Sequence, residues 1–395
     1  MSQARIPAVF MRGGTSRAIF FRNSDLPTDP AARDRLFLAA LGGPDPYGRQ
    51  LDGLGGGSSS TSKIAIIGPG TEPGVDVNFT FAQVDVGSPR VDYKGNCGNI
   101  SSAVGPYAIE EGLARGPSVT IFNTNTKKRI LALVPMDGDQ PATRGNFELP
   151  GVPGHGARIA LDFQDPGGAV TGRLLPTGTP RDRLDVPGLG PIDASLIDAT
   201  NPMVFVRAAD LGLTGVESPE ALDRDRELAG RIEAIRAAGA VAMGIAPSIV
   251  AATERSPAVP KVAMVAPPRD YRDIAGSPIR ADEVDLTVLV VSMGKIHRAV
   301  ALTAAMCLAV AARVPGSIPA EAAAGLAPGA DVRIGHPSGV LPLAATVVDG
   351  RAENVRVYRT ARRLMEGFVR VPAEVLTDPN ALADRVGGVA RTVAE

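Results

Sequence analysis

Short runs in which apolar and polar residues alternate recur along the 395-residue chain, and they predict many half-buried strands. The predicted strands are residues 8–10, 19–21, 64–67, 75–81, 119–121, 130–134, 203–206, 262–265 and 286–291. Helical spacing is found at residues 29–41, 100–114, 218–238, 297–313 and in a shorter segment near the C-terminus. The 45 glycines and 34 prolines suit tight turns between short strands. The predicted fold class is therefore α+β.

A chain of this length is too long for one ordinary hydrophobic core, so two domains are expected. Pro, Asp, Gly and Leu crowd together over residues 181–192 as in a linker, which predicts domains at 1–190 and 191–395. The last segment could instead pack back on the first domain. In each half, strands lead to a glycine-containing turn and a single apolar helix. This repeated plan predicts two similar domains with the functional site in the cleft between them.

The charge balance argues against two classes of partner. The chain has 41 basic and 42 acidic residues, which is no electrostatic footprint for nucleic acid or an anionic membrane. Two cysteines and three scattered histidines do not suit a disulfide framework or a metal site. The first residues lack an apolar signal segment, and no apolar run reaches the roughly 18 residues of a membrane-spanning helix. We expect a cytoplasmic protein that acts on a small molecule without a metal.

Cys97 is the strongest candidate for chemistry, because it lies where a strand-like run gives way to the helix predicted from residue 100. The free N–H groups at a helix start favour a thiolate and also bind carboxylates. The neighbours of Cys97 are Gly, Asn and Ser, which do not build an apolar pocket. A buried and inert cysteine is the alternative. Cys307, inside an apolar helical segment, is predicted to serve packing alone.

A glycine-rich loop over residues 52–62 ends in Lys63, just before a predicted strand. It is not a P-loop, because Ser62 and Ile64 flank the lysine where Gly and Ser or Thr are needed. Its N–H groups and the hydroxyls of residues 59–61 suit the binding of carboxylates. A flexible surface loop with a solvated lysine is the alternative. A lysine that acts as a base must have its pKa lowered by burial or by neighbouring cations.

Three further turns offer donors to an anion. Residues 11–17 pair a tight turn with the guanidinium groups of Arg12 and Arg17, which can grip carboxylates. Residues 335–339 bring turn N–H groups, a hydroxyl and an imidazole, and Asn201 precedes a strand in a similar but weaker way. Ordinary hairpin or strand-ending turns explain each segment equally well.

These segments together resemble the 2-methylaconitate cis-trans isomerase (PrpF) family, within the structural group of diaminopimelate epimerase and proline racemase. The resemblance covers nearly the whole chain and rests on residues 11–16, 52–56, 60–63, 95–99, 335–339 and 359–367. It implies two pseudo-symmetric domains, each a β-barrel-like sheet wrapped round a central helix. It also implies no cofactor and an interdomain site for unsaturated di- or tricarboxylates. The family's essential lysine and cysteine fall on Lys63 and Cys97, whereas Arg17 stands where the family usually has a lysine.

The resemblance also implies a reaction. Racemases of the wider group use one cysteine from each domain, but the corresponding second-half turn, Gly294-Lys295-Ile296, has no thiol, so a two-thiol racemase is not expected. The implied reaction removes a proton from a carbon allylic to a carboxylate-bearing double bond. Reprotonation follows bond rotation or occurs at another carbon. Lys63 and Cys97 are the proton-transfer pair, and which of them is the base stays open.

Candidate substrate-binding residues come from the donor-rich turns and the helix start. They are Arg12, Gly14, Thr15, Ser16, Ser59, Ser60, Thr61, Asn96, Gly98, Asn99, Asn201, Lys295, His336, Ser338 and Gly339. Isomerisation of 2-methylaconitate is the favoured activity. The alternatives are a methylitaconate or aconitate delta-isomerase and a 4-oxalomesaconate tautomerase. A non-catalytic carboxylate-binding partner of an aconitase-type dehydratase is the alternative from another class, and a homodimer is left open.

Overall fold

The computed structural model describes residues 3–93, 96–292 and 294–382. The chain forms two compact units: unit 1 is Met1–Leu161 with Arg359–Glu395, and unit 2 is Asp162–Tyr358. The chain therefore enters the second unit well before the predicted boundary at residue 190. The C-terminal segment belongs to unit 1, because its last long strand pairs along the first strand of the chain.

Strands dominate the structure. They are β1 (Gln3–Gly13), β2 (Ser16–Arg22), β3 (Lys63–Pro69), β4 (Val77–Val84), β5 (Val91–Asp92), β6 (Ser118–Asn123), β7 (Lys128–Leu133), β8 (Met136–Asp137), β9 (Gln140–Pro141), β10 (Phe147–Glu148), β11 (His155–Gly156), β12 (Ile159–Gln164), β13 (Asp182–Val186), β14 (Gly190–Ala199), β15 (Asn201–Arg207), β16 (Lys261–Ala266), β17 (Tyr271–Arg272), β18 (Pro278–Ile279), β19 (Leu286–Ser292), β20 (Lys295–Ile296), β21 (Val332–His336), β22 (Gly339–Val348), β23 (Arg351–Arg359) and β24 (Ala361–Pro372). The α-helices are α1 (Pro30–Leu41), α2 (Gly98–Glu110), α3 (Pro219–Leu222), α4 (Arg226–Ala242), α5 (Ile249–Arg255), α6 (Leu302–Ala311) and α7 (Ile318–Ala322). None of these helices is both long and apolar enough to cross a membrane.

The strands of unit 1 surround α2. β1 pairs antiparallel with β2 and β24, β2 is parallel to β3, β3 antiparallel to β4, β4 parallel to β6, and β6 antiparallel to β7. Helix α2 packs against β1, β2, β3, β6 and β7, and all its residues except Asn99 and Glu110 are buried. Small residues allow this close packing, since a Cβ on Gly105 would lie 2.9 Å from Val134 Cγ2.

The opposite face of the same strands is covered by α1. Leu36 and Phe37 of this helix cluster with Ile19, Ile64 and Ile66 of β2 and β3. Side chains alternate along a strand, so the residues between these isoleucines point towards α2. Unit 1 is thus a sheet with one helix inside and one outside, and it confirms the predicted helices at 29–41 and 100–114.

Unit 2 repeats this plan. β14 is antiparallel to β15, β15 parallel to β16, β16 antiparallel to β19, β19 parallel to β21, and β21 antiparallel to β22. This is the succession of β1, β2, β3, β4, β6 and β7. Helix α6 takes the place of α2, with residues 304–311 all buried, and α4 takes the place of α1. The predicted fold of two similar units, each with a sheet round a central helix, is confirmed.

Residues 181–192, predicted as a linker, form most of a hairpin instead. β13 and β14 pair antiparallel with Leu184 opposite Ile192, and both side chains lie in the core of unit 2. The Pro and Gly residues that suggested a linker form the turn between the two strands. A hairpin turn and a linker share their composition, so composition alone could not separate them.

The predicted helix at 218–238 is two helices, α3 and α4. The break is fixed by Asp225, whose carboxylate accepts the backbone N–H of Leu228 at 2.9 Å and caps α4. All nine predicted strands overlap observed strands. The sequence pattern therefore located the elements more reliably than their ends.

The predicted helix at 297–313 begins only at Leu302. The N–H of His297 donates to the carbonyl of Val290 at 2.8 Å, so this part of the chain continues the pairing of β19 with β20. Residues 94, 95 and 293, which belong to two predicted turns, lie outside the described residues, as do residues 383–395 at the C-terminal end.

Ser195 in β14 tests the packing of unit 2. Its buried hydroxyl donates to the carbonyl of Pro180 (2.6 Å) and accepts the N–H of Ile318 (2.9 Å) at the start of α7. We expect Ser195→Ala to lower the free energy of unfolding by about 2–3 kcal/mol, because two backbone groups lose their partner inside the protein. Urea unfolding followed by circular dichroism measures this. Ser118→Ala, at an exposed position, is the control, and equal losses in both variants would contradict the assigned contacts.

Candidate active site

Lys63 is the first residue of β3, and its side chain is buried on the face that carries α2. Only 8% of the residue is exposed. Its Nζ donates to Oε1 of Gln83, the residue opposite it in β4, at 2.5 Å. The amino group also lies 5.2 Å from the centre of the Phe81 ring. The alternative of a solvated surface lysine is therefore wrong.

Gln83 holds its amide in one orientation. Its Nε2 donates to the backbone carbonyls of Ser62 (2.9 Å) and Ser59 (3.2 Å), which leaves Oε1 to face Lys63. Gln83 thus ties the end of the glycine-rich loop to the lysine. The sequence analysis missed this residue, because a polar residue within an alternating strand gives no signal of its own. Only the register of β3 with β4 makes it a partner of Lys63.

Burial lowers the pKa of the Lys63 amino group from its ordinary value, and the negative charge of a Cys97 thiolate opposes this shift. Because the charge of Cys97 affects the pKa of Lys63, the amine and the sulfur lie within electrostatic reach of each other. A lysine with a lowered pKa carries more of the neutral amine, which is the form that accepts a proton. The fold thus places Lys63 and Cys97 within electrostatic reach of each other, and their action as a proton-transfer pair stays a prediction.

Cys97 caps the N-terminus of α2, as predicted. Its carbonyl accepts the backbone N–H of Ser101 at 2.9 Å, which is the first hydrogen bond of the helix, and no side chain caps this end. The cysteine is partly exposed, whereas Cys307 is fully buried in α6. The positive end of the helix dipole favours an anion at this position, either a thiolate or a bound carboxylate.

A network of asparagines fixes the chain just before Cys97. Oδ1 of Asn96 accepts from Nδ2 of Asn123 at 2.9 Å, and Oδ1 of Asn123 accepts the N–H of Thr126 at 2.9 Å. Asn125 donates to the carbonyl of Tyr93 at 2.6 Å. Asn96, predicted to bind substrate, therefore uses its amide oxygen to position the cysteine loop.

The Gly-Gly turn between β1 and β2 lies against the start of α2. A Cβ on Gly14, which has a φ of 53°, would lie 2.3 Å from Oδ1 of Asn99, so a larger residue would displace the asparagine. Asn99 donates through Nδ2 to Oγ1 of Thr15 at 3.0 Å. Ser16 is paired with Gly13 on the same face. The structure thus gathers Gly14, Thr15, Ser16 and Asn99 at the helix start.

Arg359 is a second residue that the sequence analysis did not place in the site. It is 6% exposed, and its Nε donates to Oδ1 of Asn99 at 3.1 Å. Burial lowers the pKa of its guanidinium to about 10, while the charge of Cys97 opposes the shift. A buried cation therefore lies near both Asn99 and Cys97. In the sequence, residues 359–367 contribute to the family resemblance, but nothing in them indicates a residue of the site.

The hydroxyls of the glycine-rich loop bond mainly to one another. Residues 59–61 form a single 3-10 turn, in which Oγ of Ser58 lies 2.9 Å from both Oγ of Ser60 and Oγ1 of Thr61. Gln50, buried below the loop, accepts from the N–H of Gly57 and from the hydroxyl of Ser62. The loop is therefore held in place from below and is not a free flexible segment.

The side chain of Arg12 starts from the face of β1 that is opposite α2. The neighbouring Gly13 faces α2, since a Cβ there would lie 2.5 Å from the carbonyl oxygen of Asn99. Alternation along β1 puts Arg12 on the opposite face. Its guanidinium donates to the carbonyls of Gly14 (2.8 Å) and Thr360 (3.0 Å). The structure thus gives Arg12 a role in holding the turn, which differs from the predicted contact with substrate.

Five candidate residues belong to unit 2: Asn201, Lys295, His336, Ser338 and Gly339. The hydroxyl of Tyr271 donates to the carbonyls of His336 (3.1 Å) and Gly339 (2.8 Å), and the N–H of Ser338 donates to Nδ1 of His336 (3.1 Å). Asn201 donates to the carbonyl of Pro202 at 3.1 Å, and Lys295 is exposed. That these residues join Lys63 and Cys97 in one site stays a prediction.

No group of three or more His, Cys, Asp or Glu side chains in the described part of the chain is placed to hold a metal ion. The donor set at the start of α2 is instead an amine, a thiol, a guanidinium and amides. This set suits proton transfer next to a bound anion.

A repeated fold with a buried amine within electrostatic reach of a thiol suits proton transfer, and the family and relatives of this chain make it an isomerase. The chain belongs to the PrpF protein family, whose model matches residues 3–372. It is 44% identical to the 3-methylitaconate isomerase of Eubacterium barkeri, over 93% of this chain and 98% of the relative. It is 42% identical to the 2-methyl-aconitate isomerase of Shewanella oneidensis, over 94% and 98%. A crystal structure of methylitaconate-delta-isomerase, 44% identical, superposes with a TM-score of 0.90 over 95% of this chain and 98% of that one.

Gln83→Leu tests the hydrogen bond that holds Lys63. We expect the pKa of Lys63, already below 10.5 in the wild type, to fall further, because the ammonium form loses its acceptor while the amine loses little. The measurement is the pH dependence of acetylation of Lys63 by acetic anhydride, followed by mass spectrometry. Gln140→Leu, at an exposed position, should leave this pH dependence unchanged. A pKa that stays the same or rises in Gln83→Leu would show that Gln83 does not stabilise the charged lysine.

Proposed function

We propose that the protein is a cofactor-independent isomerase of unsaturated di- or tricarboxylates that works by allylic proton transfer. The observation that carries the proposal is the buried amine of Lys63 within electrostatic reach of Cys97, at the start of a buried helix and next to Arg359. The family and its isomerase relatives support the reaction class. They do not select one substrate, because the relatives named above act on two different ones.

Lys63 is the base in this proposal. Burial shifts the lysine towards the neutral amine, and its place on β3, between β2 and β4, keeps the nitrogen fixed for proton abstraction. Cys97 then returns a proton to the other end of the allylic system as a thiol. After one turnover Lys63 carries the proton as an ammonium group and Cys97 is a thiolate, so a proton passes from Lys63 to Cys97, directly or through solvent, before the next turnover.

The negative charge that develops on the dienolate needs stabilisation at the same place. The Arg359 guanidinium and the N–H groups of Gly98 and Asn99 at the start of α2 are the donors that lie there. Fixed donors in a partly buried site stabilise such an anion without reorganisation, and removal of one of them typically costs on the order of 10²-fold to 10³-fold in rate. The same donors hold a substrate carboxylate before the reaction.

The proposed substrate is 2-methylaconitate, with methylitaconate or aconitate and 4-oxalomesaconate as the alternatives. All four molecules place a carboxylate beside a carbon–carbon double bond, so the same Lys63 and Cys97 chemistry serves each of them. A cytoplasmic setting stays a prediction, and a homodimer stays open.

Replacement of the proton-transfer pair should abolish the reaction. We expect Lys63→Met and Cys97→Ser to lower kcat by about 10²-fold to 10⁴-fold, the usual contribution of a positioned acid or base. Proton NMR in D₂O with the four substrates measures isomerisation and the entry of deuterium at the allylic carbon. The control is Lys127→Met, which removes an exposed lysine from the turn between β6 and β7. Full turnover in either folded variant would contradict the assignment, and the substrate that reacts in the wild type decides among the alternatives.

Arg359→Met tests the anion site. We expect the KM for the substrate to rise on the order of tenfold or more, because a charge-assisted hydrogen bond to a carboxylate is lost. Arg359→Lys should recover part of the effect, since it keeps the charge without the planar fork. Arg370→Met removes an exposed arginine from β24 and is the matched control. An Arg359→Met variant in which both KM and kcat are unchanged would remove Arg359 from the site.

A further inference from the structure

The repeated fold places a second lysine at the position of Lys63. In unit 1, Lys63 is the first residue of β3 and pairs with Ala18, the third residue of β2. In unit 2, Lys261 is the first residue of β16 and pairs with Met203, the third residue of β15. β3 and β16 hold the same place in the order of strand pairings. Lys63 and Lys261 therefore occupy equivalent positions in the two units.

The two lysines also share a face and an environment. Val262 and Met264, which alternate with Lys261 and Ala263, pack in the core cluster that contains the apolar residues of α4. Lys261 therefore lies on the face that carries the central helix α6, as Lys63 lies on the face of α2. Burial lowers the pKa of Lys261 as well.

Unlike Cys97, which caps α2, His297 lies ahead of Ala301, the N-cap of α6. Its N–H donates to the carbonyl of Val290, which lies opposite Ala263, and the preceding Ile296 packs in the core cluster of α4, so His297 lies on the α6 face of the sheet, as Lys261 does. His297 follows the short strand β20, which pairs with β19 before α6 begins, and Cys97 follows β5, which pairs with β4 before α2 begins. Burial and the positive charge of Lys261 lower the pKa of His297, so its ring lies within electrostatic reach of the lysine. A second proton-active side chain thus lies within electrostatic reach of a partly buried lysine, in the segment ahead of a central helix.

The pair lacks a counter-ion among the described residues. The hydrogen bond of the Lys261 amino group goes to the carbonyl of Ala258 at 3.5 Å, the limit of such an interaction. Within the described part of the chain, no carboxylate forms an ion pair with Lys261 or His297. Lys63, by contrast, has Gln83 at 2.5 Å. A partly buried cation without a partner is costly unless an anion is bound next to it.

We propose that Lys261 and His297 form a carboxylate-binding site in unit 2, on the face of the sheet that corresponds to the Lys63 face of unit 1. The ammonium group supplies the charge, and the imidazole supplies an N–H donor to the second carboxylate oxygen. Unsaturated di- and tricarboxylates carry further carboxylates beyond the one next to the reacting carbon. That the bound carboxylate belongs to the substrate rests on the proposed function, whereas binding itself does not.

The test uses the small number of histidines in the chain. His155, His297 and His336 give three imidazole signals by NMR. The signal that is lost in His297→Gln is that of His297. The full-length protein is titrated with tricarballylate, a saturated tricarboxylate that cannot isomerise. We expect a saturable change of the His297 signal in the wild type, and binding on the order of tenfold weaker in Lys261→Met. Lys127→Met is the matched control, and the His155 signal reports non-specific effects.

Each outcome decides the proposal. A His297 signal that does not respond, or that responds equally in Lys261→Met and the wild type, overturns it. A saturable response that depends on Lys261 supports it even if no substrate of the panel turns over, so this result is separable from a failure of the proposed function. With a reacting substrate, Lys261→Met should raise KM on the order of tenfold with little change in kcat, because it removes binding that is equal in ground state and transition state. A lowered kcat at unchanged KM would contradict a binding role.

Discussion

The burial of the Lys63 amino group is the constraint on which the arrangement of unit 1 depends. Taking an ammonium group out of water is expensive unless nearby groups compensate for its charge. The compensating groups are the amide of Gln83, the ring of Phe81 and the sulfur of Cys97. The first two come from β4 and the third from the start of α2, so the strand register and the position of the helix must both be correct. The scaffold of strands and helix fixes this lysine, and its lowered pKa is a property of the whole unit.

Helix α2 meets that requirement through the size of its residues. Gly105 leaves room for Val134, and Gly13 and Gly14 in the facing turn leave room for Asn99, so the helix start can lie against the end of β1. Larger side chains at these positions would move the helix outward and carry Cys97 away from the lysine. Glycines that look like flexible turn residues in the sequence therefore act here by close approach of two backbones.

Local signals explain what the sequence could predict. The alternation of apolar and polar residues predicted the strands. A polar break before an apolar run predicted the start of α2, and a glycine-rich loop that ends in a lysine indicated Lys63. Two features depended on contacts between distant segments and could not be predicted. Gln83 becomes a partner of Lys63 only through the register of β3 and β4, and Arg359 reaches the site only because the chain returns to unit 1 at its end. The hairpin at 181–192 was missed because its turn has the composition of a linker.

Comparison of the two repeated units shows which features the fold fixes in both and which side chains differ between them. Both units use the same order of pairings and bury a central helix, and each begins an inner strand with a lysine, at Lys63 and Lys261. The segment ahead of the central helix differs: Cys97 caps α2 in unit 1, whereas Ala301 caps α6 in unit 2 and His297 lies earlier in the segment. Core positions are constrained by packing in both copies, whereas side chains ahead of the helix are not. The residue types in that segment are therefore free to differ, and a thiol in one copy with an imidazole in the other gives the two units different acid-base properties on one backbone plan.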